Sequence, residues 1–393
     1  MKRRRFLQYT GLATMAVPSL WAQSDHKASV GVIGHTGRGN YGHGLDTVWH
    51  HIPGTQIIGV ADADPQGLTK ALKRLRTKEG FAGYQEMLDA LRPDFVSVCP
   101  RHADQHHAMT VAAIKSGTKG IYVEKPFCRT PAEADEILAL SQARGTKIAV
   151  AHRNRYHPVL AVIDRFITDG GLGKLLEIQG RGKGDRRGGD EDLWVLGSHV
   201  LNLVSYFGGS PRTCSAVMKH QGEGVTKAHV REGAEGLGPL AANELHARYE
   251  LSSGVFASFD SIANDGTQNA GFGLQLIGSK GIIQIQCDLD PLAHWIPGNP
   301  FQPSKSARPW IPISSAGIGI AENQPKLIED VQHHIVPVRD LVQAVQEDRQ
   351  PLCNAQEGCN TVEMICGVFE SHRQGGRAVA LPLREREHPL TKL

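Results

Sequence analysis

The tripeptide Glu124, Lys125 and Pro126 is the part of this chain best suited to chemistry. It follows a short apolar run, residues 120–123, that is typical of a buried strand. Pro126 ends such a strand because it lacks the amide proton that a sheet requires. In an open parallel sheet, ligands bind beyond the carboxyl ends of the strands. We therefore expect Lys125 to face a ligand, at a place where hydride chemistry can occur.

A glycine-rich turn follows another apolar run, residues 29–33. A segment that can become helical comes after this turn, whose residues include Gly34, Thr36, Gly37, Arg38 and Gly39. Glycines let the backbone approach a pyrophosphate, and the N-terminus of a following helix supplies free amide groups. Thr36 stands where the usual motif has its second glycine, so its β-carbon crowds that approach. An ordinary tight turn between a strand and a helix is the alternative interpretation.

Asp62 strengthens the dinucleotide interpretation because it ends the next apolar run, residues 56–62. A carboxylate at this position accepts the ribose hydroxyls of adenosine and repels a 2′-phosphate, which favours NAD over NADP. The gap from Gly34 is longer than the usual one of about twenty residues. Asp62 can instead cap the helix that begins near Pro65. Asp64 fits that cap better, so we expect the Asp62 carboxylate to be free.

Alternating strands and helices predict a doubly wound parallel sheet in the first part of the chain. After Asp62, the predicted strands are 95–99, 121–124 and 147–151, and the predicted helices between them are 106–116 and 131–144. We assign residues 28–152 to a dinucleotide-binding domain and residues 153–393 to a substrate-binding and oligomerisation domain.

Successive strands predict a mostly antiparallel open sheet in the second domain, which is therefore α/β as well. Its predicted strands are 174–180, 214–220, 244–251, 254–262, 271–277 and 281–286, with helices at 337–346 and 359–374. Two glycine- and proline-rich stretches, residues 221–243 and 288–325, are expected to be long loops that cover the cleft or a subunit contact.

The composition is that of an ordinary globular enzyme, with 40% apolar and 21% charged residues and a net charge of +3. Basic residues are dispersed, so no nucleic-acid partner is expected. The seven cysteines lack metal-ligand spacing and are expected to be mostly buried thiols. Crowded polar residues at 102–107 resemble a metal site, but we interpret them as a loop in which one group touches the cofactor and the others face water. No metal is expected.

The N-terminus predicts export. A lysine and three arginines, residues 2–5, precede Phe6 and Leu7, and a weakly apolar stretch follows as far as Ala22. This pattern is typical of a twin-arginine signal over residues 1–25, and the apolar stretch is too short to be a stable membrane span. A disordered basic tail of a cytosolic protein is the alternative. Because free NAD is scarce outside the cytoplasm, a periplasmic enzyme is expected to hold its cofactor tightly.

These motifs together resemble the Gfo/Idh/MocA family over residues 28–385. The resemblance also includes Pro100 and a histidine-bearing helix start, the run of residues 153–158, and His199. It implies a Rossmann domain, an α/β domain whose sheet packs against another subunit in a homodimer or homotetramer, and an NAD- or NADP-dependent oxidoreductase of sugars or polyols.

The resemblance also shows a departure at the active-site helix. Family members carry Asp-x-Gly-x-His-x-x-Asp, whereas this chain has Val195, Gly197, His199 and Asn202 at those positions. The imidazole of His199 thus lacks the acid that orients it in relatives. A carboxylate of Asp185, Glu191 or Asp192 is expected to replace that acid.

We predict that Lys125 and His199 carry the chemistry. His199 titrates nearest to neutral pH and is assigned proton transfer, while Lys125 polarises and positions the hydroxyl. A core histidine bonded to a backbone carbonyl is the alternative for His199. The predicted cofactor contacts are Gly34, Thr36, Gly37, Arg38, Gly39, Asp62, Pro100, His102, Glu124 and Lys125. The predicted substrate contacts are His152, Arg153, Arg155, Tyr156, Asp192 and Asn202.

Three functions are compatible with these residues. The first is NAD(H)-dependent oxidation or reduction of a secondary hydroxyl or carbonyl of a carbohydrate or polyol. The second is glycoside cleavage in which tightly bound NAD oxidises the sugar transiently, and the missing acids beside His199 make it attractive. The third is a non-catalytic, dinucleotide-dependent sugar binder.

Overall fold

The computed structural model describes residues 27–393. The predicted export signal, residues 1–25, lies outside the described part. The N-terminal domain contains a six-stranded parallel sheet with the order β3-β2-β1-β4-β5-β6. Its strands are β1 (Ala28–Ile33), β2 (Thr55–Ala61), β3 (Glu79–Phe81), β4 (Phe95–Val98), β5 (Gly120–Val123) and β6 (Lys147–Val150).

This strand order confirms the predicted doubly wound sheet. Strand β1 pairs in parallel with both β2 and β4, so the direction of winding reverses between β1 and β4. The crevice for a ligand lies beyond the carboxyl ends of these two strands. Strand β3, at the sheet edge, is three residues long and was missed because so short a segment has no readable periodicity.

Four α-helices connect the strands of this domain. They are α1 (Pro65–Leu75), α2 (Tyr84–Leu91), α3 (His106–Lys115) and α4 (Pro131–Arg144). Helix α4 begins and ends where the sequence predicts, because the side chain of Thr130 accepts a hydrogen bond from the amide of Glu133 and Gly145 adopts a left-handed conformation after the last turn.

The helix expected after the glycine turn is absent from the described structure. Two short 3₁₀ turns, Gly42–Gly44 and Val48–His51, stand in its place. The face of the sheet that such a helix would cover is instead covered by Leu45 and Trp49 together with apolar side chains of the C-terminal segment that begins at Ile335. A dinucleotide therefore cannot use the dipole of a regular helix here, contrary to the prediction.

The second domain is built on an eleven-stranded sheet. The order is β18-β17-β16-β15-β14-β7-β13-β12-β8-β19, and β9 pairs with β8. All its pairs are antiparallel except β7 with β13, which confirms the predicted mostly antiparallel sheet. Its strands, and the separate pair β10 and β11, are β7 (Leu175–Arg181), β8 (Pro211–His220), β9 (Glu223–Gly224), β10 (Arg231–Glu232), β11 (Pro239–Leu240), β12 (Glu244–Leu251), β13 (Phe256–Ile262), β14 (Gly273–Gly278), β15 (Gly281–Gln286), β16 (Ala293–Pro297), β17 (Ile311–Ser314), β18 (Gly317–Ile318) and β19 (Val379–Ala380).

Helices cover one face of this sheet and return to the first domain. They are α5 (Val159–Thr168), α6 (Asp190–Asp192), α7 (Ser198–Gly208), α8 (Pro325–Gln332), α9 (Ile335–Gln346) and α10 (Ala355–Arg373). Helix α10 packs on β8 and on α4, and α9 packs on β5 and β6. The two domains thus share buried contacts. None of the helices in residues 27–393 combines the length and apolar character needed to span a membrane.

The two stretches predicted as long loops are only partly irregular. Residues 288–325 contain β16, β17 and β18, which extend the edge of the sheet and were missed. Residues 221–243 contain three very short strands and reach the first domain, where Gly236 packs against the carboxylate of Asp104. This second stretch therefore packs on the loop after β4. The seven cysteines are all buried and free, as predicted.

The hydrogen bond from the amide of Glu133 to Thr130 Oγ1 gives a test of the α4 boundary. We expect Thr130→Ala to lower the free energy of unfolding by about 1 kcal/mol, because the first turn of α4 loses its cap. Thr130→Ser keeps the hydroxyl and serves as the control. Chemical denaturation followed by circular dichroism measures both. An alanine variant as stable as the serine variant would show that this cap contributes nothing.

Candidate active site

Lys125 lies at the carboxyl end of β5, as predicted, and its backbone is fixed by a buried histidine. The ring of His106 lies between two carbonyl oxygens, with Nδ1 at 2.6 Å from that of Pro126 and Nε2 at 2.7 Å from that of Pro100. His106 thereby ties the loop after β4 to the loop after β5. The interpretation that the polar residues at 102–107 touch the cofactor or face water is therefore wrong for His106, which is buried.

The ammonium group of Lys125 is bound by the second domain. Its Nζ donates to the carbonyl oxygen of Val195 at 2.9 Å, and the side chain is buried. Val195 belongs to a π-helix, Leu193–Gly197, that continues directly into α7. The wider turn of a π-helix interrupts the regular hydrogen bonding of a helix and is frequent at functional sites. Burial lowers the pKa of Lys125, although the nearby charge of Glu124 opposes this effect.

Glu124 is paired with a histidine that the sequence analysis missed. Nδ1 of His43 donates to Oε1 of Glu124 at 2.6 Å, while Oε2 is buried and has no partner in the described structure. Burial by itself raises the pKa of Glu124, but the hydrogen bond and charge of His43, with the charge of Lys125, lower it to about 2. The carboxylate is therefore ionised at neutral pH, with one oxygen available to a ligand.

His199 lies on α7 and contacts a second histidine. Its Nδ1 is 3.4 Å from Nδ1 of His152, which follows β6, and the two rings meet edge to face. Burial and then the positive charges of His152 and Lys125 hold the pKa of His199 well below its usual range. Burial also lowers the pKa of His152, to about 3. Both rings are therefore neutral at physiological pH.

The carboxylate expected to orient His199 does not reach it. Asp192 Oδ2 instead accepts hydrogen bonds from Ser261 Oγ at 2.6 Å and from the amide of Lys183 at 3.2 Å. Asp185 is paired with Arg187. Within residues 27–393, no ion pair joins His199 to any acid, Glu191 included. The hypothesis of a substitute carboxylate is wrong, because Asp192 and Asp185 are bound to other groups and Glu191 forms no ion pair with His199 in the described residues.

Two of the predicted substrate residues after β6 have interior partners instead. Arg155 is buried, stacks on the ring of Tyr206 at 3.9 Å and lies near Glu357. The hydroxyl of Tyr156 accepts a hydrogen bond from the amide of Cys353 at 3.1 Å. These contacts give both residues packing roles.

Arg153 and Asn202 also have partners within the protein. Arg153 is paired with Asp288 at 3.0 Å and donates to the carbonyl of Gln332, so it holds the start of residues 288–325. Asn202 is buried beside the thiol of Cys353. Of the predicted substrate residues, His152 is the one in contact with His199.

The glycine turn adopts the conformation that its glycines predict. Gly37 and Gly39 have positive φ angles of 81° and 84°. A β-carbon at Gly39 would lie 2.6 Å from the amides of Arg101 and His102, so this glycine permits close contact with the loop after β4. At Gly37 nothing lies within 4 Å of a β-carbon, which leaves room for a phosphate.

Two side-chain contacts further join the loops after β1 and β4. Arg38 forms an ion pair with Asp104, and the ring of His35 lies at hydrogen-bond distance from Gln105. His102 is partly exposed in the same loop, and burial lowers its pKa. These loops border the crevice between β1 and β4.

The carboxylate of Asp62 is not free, contrary to expectation. Oδ1 accepts from the amides of Thr36 and Asp64, both at 3.0 Å. Oδ2 accepts from the hydroxyls of Thr36 at 2.7 Å and Tyr41 at 2.9 Å. The Tyr41 ring packs on Gly34 and carries the guanidinium of Arg74 on its face. The sequence analysis missed Tyr41 because nothing in its spacing marks it as a partner of Asp62.

The residues present fit a dinucleotide. A cavity of about 300 Å³, lined by Thr36, Tyr41 and Arg74 among others, opens beside Asp62 and gives the adenosine end room. The amides of the glycine turn suit the pyrophosphate, and the unpartnered Oε2 of Glu124 suits a hydroxyl of the second ribose. Ribose hydroxyls that bind Asp62 must share it with Thr36 and Tyr41. In residues 27–393 no group of three or more histidine, cysteine or acidic side chains forms a metal site.

Family models match both domains of this chain. Residues 28–152 match the NAD-binding Rossmann fold of an oxidoreductase family, and residues 180–381 match the C-terminal alpha/beta domain of the same family. The chain belongs to the Gfo/Idh/MocA family of oxidoreductases. Its cofactor is NAD, and the domain that binds it is the six-stranded parallel sheet described above.

Two dehydrogenases illustrate the breadth of the relatives. The D-apiose dehydrogenase of Paraburkholderia graminis is 23% identical over 355 residues, which are 87% of this chain and 87% of that protein. The levoglucosan dehydrogenase of Pseudarthrobacter phenanthrenivorans is 22% identical over 249 residues, or 57% of this chain and 63% of that protein.

A solved structure of levoglucosan dehydrogenase with NADH and levoglucosan is similar in fold. Its TM-score is 0.73 at 18% identity, over 91% of this chain and 100% of that one. At this identity the likeness establishes the shared two-domain architecture.

The lowered pKa of Glu124 predicts a pH-dependent contribution to stability. An acid whose pKa falls from 4.5 to about 2 on folding stabilises the protein above pH 4.5 and loses this effect as the pH approaches 2. We expect Glu124→Gln to lower the melting temperature at pH 7, and the gap to wild type to narrow below pH 4.5. Glu86→Gln, on the surface of α2, is the control. A gap that stays constant between pH 7 and 3.5 would contradict the ionised pair.

Proposed function

We propose that this protein is an NAD(H)-dependent oxidoreductase that acts on a secondary hydroxyl or carbonyl group of a carbohydrate or polyol. One observation carries the proposal. Lys125 from the first domain is hydrogen-bonded to Val195, one helical turn before His199, so the ammonium and the imidazole belong to one buried site between the domains. NAD supplies the hydride acceptor when it is bound.

Each of the two side chains has a distinct role in this proposal. Nδ1 of His199 faces His152, which leaves Nε2 to take the hydroxyl proton. The neutral ring is already in the form that a base requires. Lys125 remains anchored on a carbonyl oxygen and donates a hydrogen bond to the substrate oxygen, which polarises it. The buried setting excludes water and strengthens both interactions.

The relatives support a carbohydrate as the substrate class. Two of the similar proteins are dehydrogenases of D-apiose and of levoglucosan, which are both sugars or sugar derivatives. We expect the same class here.

Export, cofactor retention and self-association complete the proposal. The basic leader supports export to the periplasm by the twin-arginine route, and NAD would then be retained tightly through many turnovers. Residues 221–243, which pack on the loop after β4 beside the crevice, favour such retention. The open face of the eleven-stranded sheet exposes Val217 and Phe256, which suits a homodimer or homotetramer.

A redox-neutral glycoside cleavage is the second candidate. It is favoured by the site around His199, where the described residues include no carboxylate in an ion pair with the imidazole. Without such a carboxylate, no negative charge beside His199 in the described residues stabilises the imidazolium that forms when net oxidation releases a proton. In a cycle of oxidation, elimination and reduction, the hydride and the proton both return to the sugar. Chromogenic glycosides distinguish the two, because aglycone release without accumulation of NADH favours the cycle.

Substitution of the two active-site residues tests the proposal. We expect Lys125→Met and His199→Asn each to lower the rate of hydride transfer by about 10²–10⁴-fold, because each removes a group that acts on the reacting oxygen. The rate is measured as the absorbance of bound NADH during rapid mixing with a panel of sugars and polyols. Lys115→Met, at the exposed end of α3, is the matched control.

Native mass spectrometry of the same preparations reports the cofactor. We expect bound NAD in wild type and in all three variants. Loss of activity together with loss of NAD would mean that the substitutions act on binding and not on chemistry. A wild-type protein that holds NAD but gives no spectral change with any saccharide would favour the non-catalytic sugar binder.

A further inference from the structure

The contact between His152 and His199 joins the two domains inside the site. His152 comes from the end of β6 and His199 from α7, and their ring centroids are 5.0 Å apart with an interplanar angle of 85°. Each side chain is almost fully buried, with 1% and 6% of its surface exposed. Because the contact is made by the two Nδ1 atoms, one ring must donate a proton and the other must accept it.

Among residues 27–393, the ring of His199 has no hydrogen-bond partner other than His152. Lys125 is bound to the carbonyl of Val195, and Asp192 is bound to Ser261. Phe272 is the other ring beside His199. Nε2 of His152 is buried and has no hydrogen-bond partner in the described structure. A ring with one nitrogen bonded to His199 and the other unpartnered can change its protonation without breaking any other contact.

We propose that His152 is a positioning residue that orients His199 and receives its Nδ1 proton during the reaction. This inference rests on the proposed function. The substrate hydride goes to NAD and the C=O double bond forms. The hydroxyl proton goes to Nε2 of His199, and the proton on Nδ1 of His199 moves to Nδ1 of His152. The positive charge therefore ends on His152, and His199 is neutral again.

The charged groups around the pair explain why a relay is useful. Lys125 and Arg153 contribute positive charge, His43 adds to it when protonated, and Glu124 contributes the opposing negative charge. Burial lowers the pKa of both rings, but the charge of Glu124 raises that of His152, whereas the charges acting on His199 are positive. The proton is thus less costly on His152 than on the ring beside the substrate.

The tautomers of the two rings test the arrangement independently of any substrate. We expect nitrogen NMR of histidine-labelled protein at pH 7 to show two neutral rings, one protonated at Nδ1 and the other at Nε2. The His152→Gln variant identifies the pair by the signals it removes and shifts. His388→Phe, which replaces a buried histidine whose ring nitrogens have no partner, is the control. Two Nε2-protonated rings in wild type would overturn the inference.

Kinetics tests the relay itself. We expect His152→Gln to lower kcat by about 10- to 100-fold, a part of what a general base contributes, with a KM close to wild type. Loss of His152 also removes the ring on which the added proton is less costly, so protonation of His199 becomes less favourable. The acid limb of the pH profile should therefore move to lower pH, which a merely structural role would not cause. His388→Phe should keep the wild-type profile.

The outcomes separate this inference from the proposed function. A His152→Gln variant with wild-type kcat and pH profile overturns the relay while the oxidoreductase stands. A wild type inert toward every saccharide overturns the proposed function, and the tautomer measurement then decides whether the pair shares a proton. If His152→Gln does not fold, the tautomers of wild type decide the same question.

Discussion

The hydrogen bond from Lys125 to the carbonyl oxygen of Val195 is the interaction on which the site depends. It fixes a strand end of one domain against a π-helix of the other. A buried ammonium group without an acceptor is strongly unfavourable, so the two domains must meet in this register. In relatives, by resemblance, an acid occupies the position of Val195. Here the backbone of the same residue supplies the acceptor, and the lysine keeps its place without a carboxylate.

The loss of that carboxylate changes the electrostatics of the whole site. Lys125, Arg153, His152 and His199 gather near one another, and the buried anion among them is Glu124. Neutral imidazoles are then the stable form, because burial and neighbouring positive charge both disfavour imidazolium. A site of this kind accepts a proton readily only if the charge can move away from the lysine. The second histidine offers such a position.

At the cofactor-binding end of the protein, groups that usually bind a ligand already have hydrogen-bond partners within the protein. Tyr41 and Thr36 bind both oxygens of Asp62, and Arg74 stacks on Tyr41. The glycine turn does not lead into a regular helix, so its amides and not a helix dipole must hold the phosphates. Residues 221–243 pack against the loop that contains Asp104. Bound NAD must therefore fit around groups that already have partners within the protein.

The sequence by itself determined most of the longer strands and helices and the positions of the main candidates. Alternating apolar runs predicted both sheets, and the helix predicted over residues 131–144 has the bounds of α4. Lys125 was found because a charged residue before a proline at a strand end is a local signal. Such signals reflect burial and backbone geometry, which depend on near neighbours in the chain.

Only the tertiary structure decided the partners of these residues. His43 meets Glu124, Tyr41 meets Asp62, and His152 meets His199 across 81, 21 and 47 residues. The acids before α7 pointed to a substitute carboxylate, yet folding turned Asp192 toward Ser261. A hydrogen bond forms only when donor and acceptor lie within a few tenths of an ångström of the right distance, which depends on how helices and sheets pack. Such packing leaves no periodic pattern or fixed spacing in the sequence.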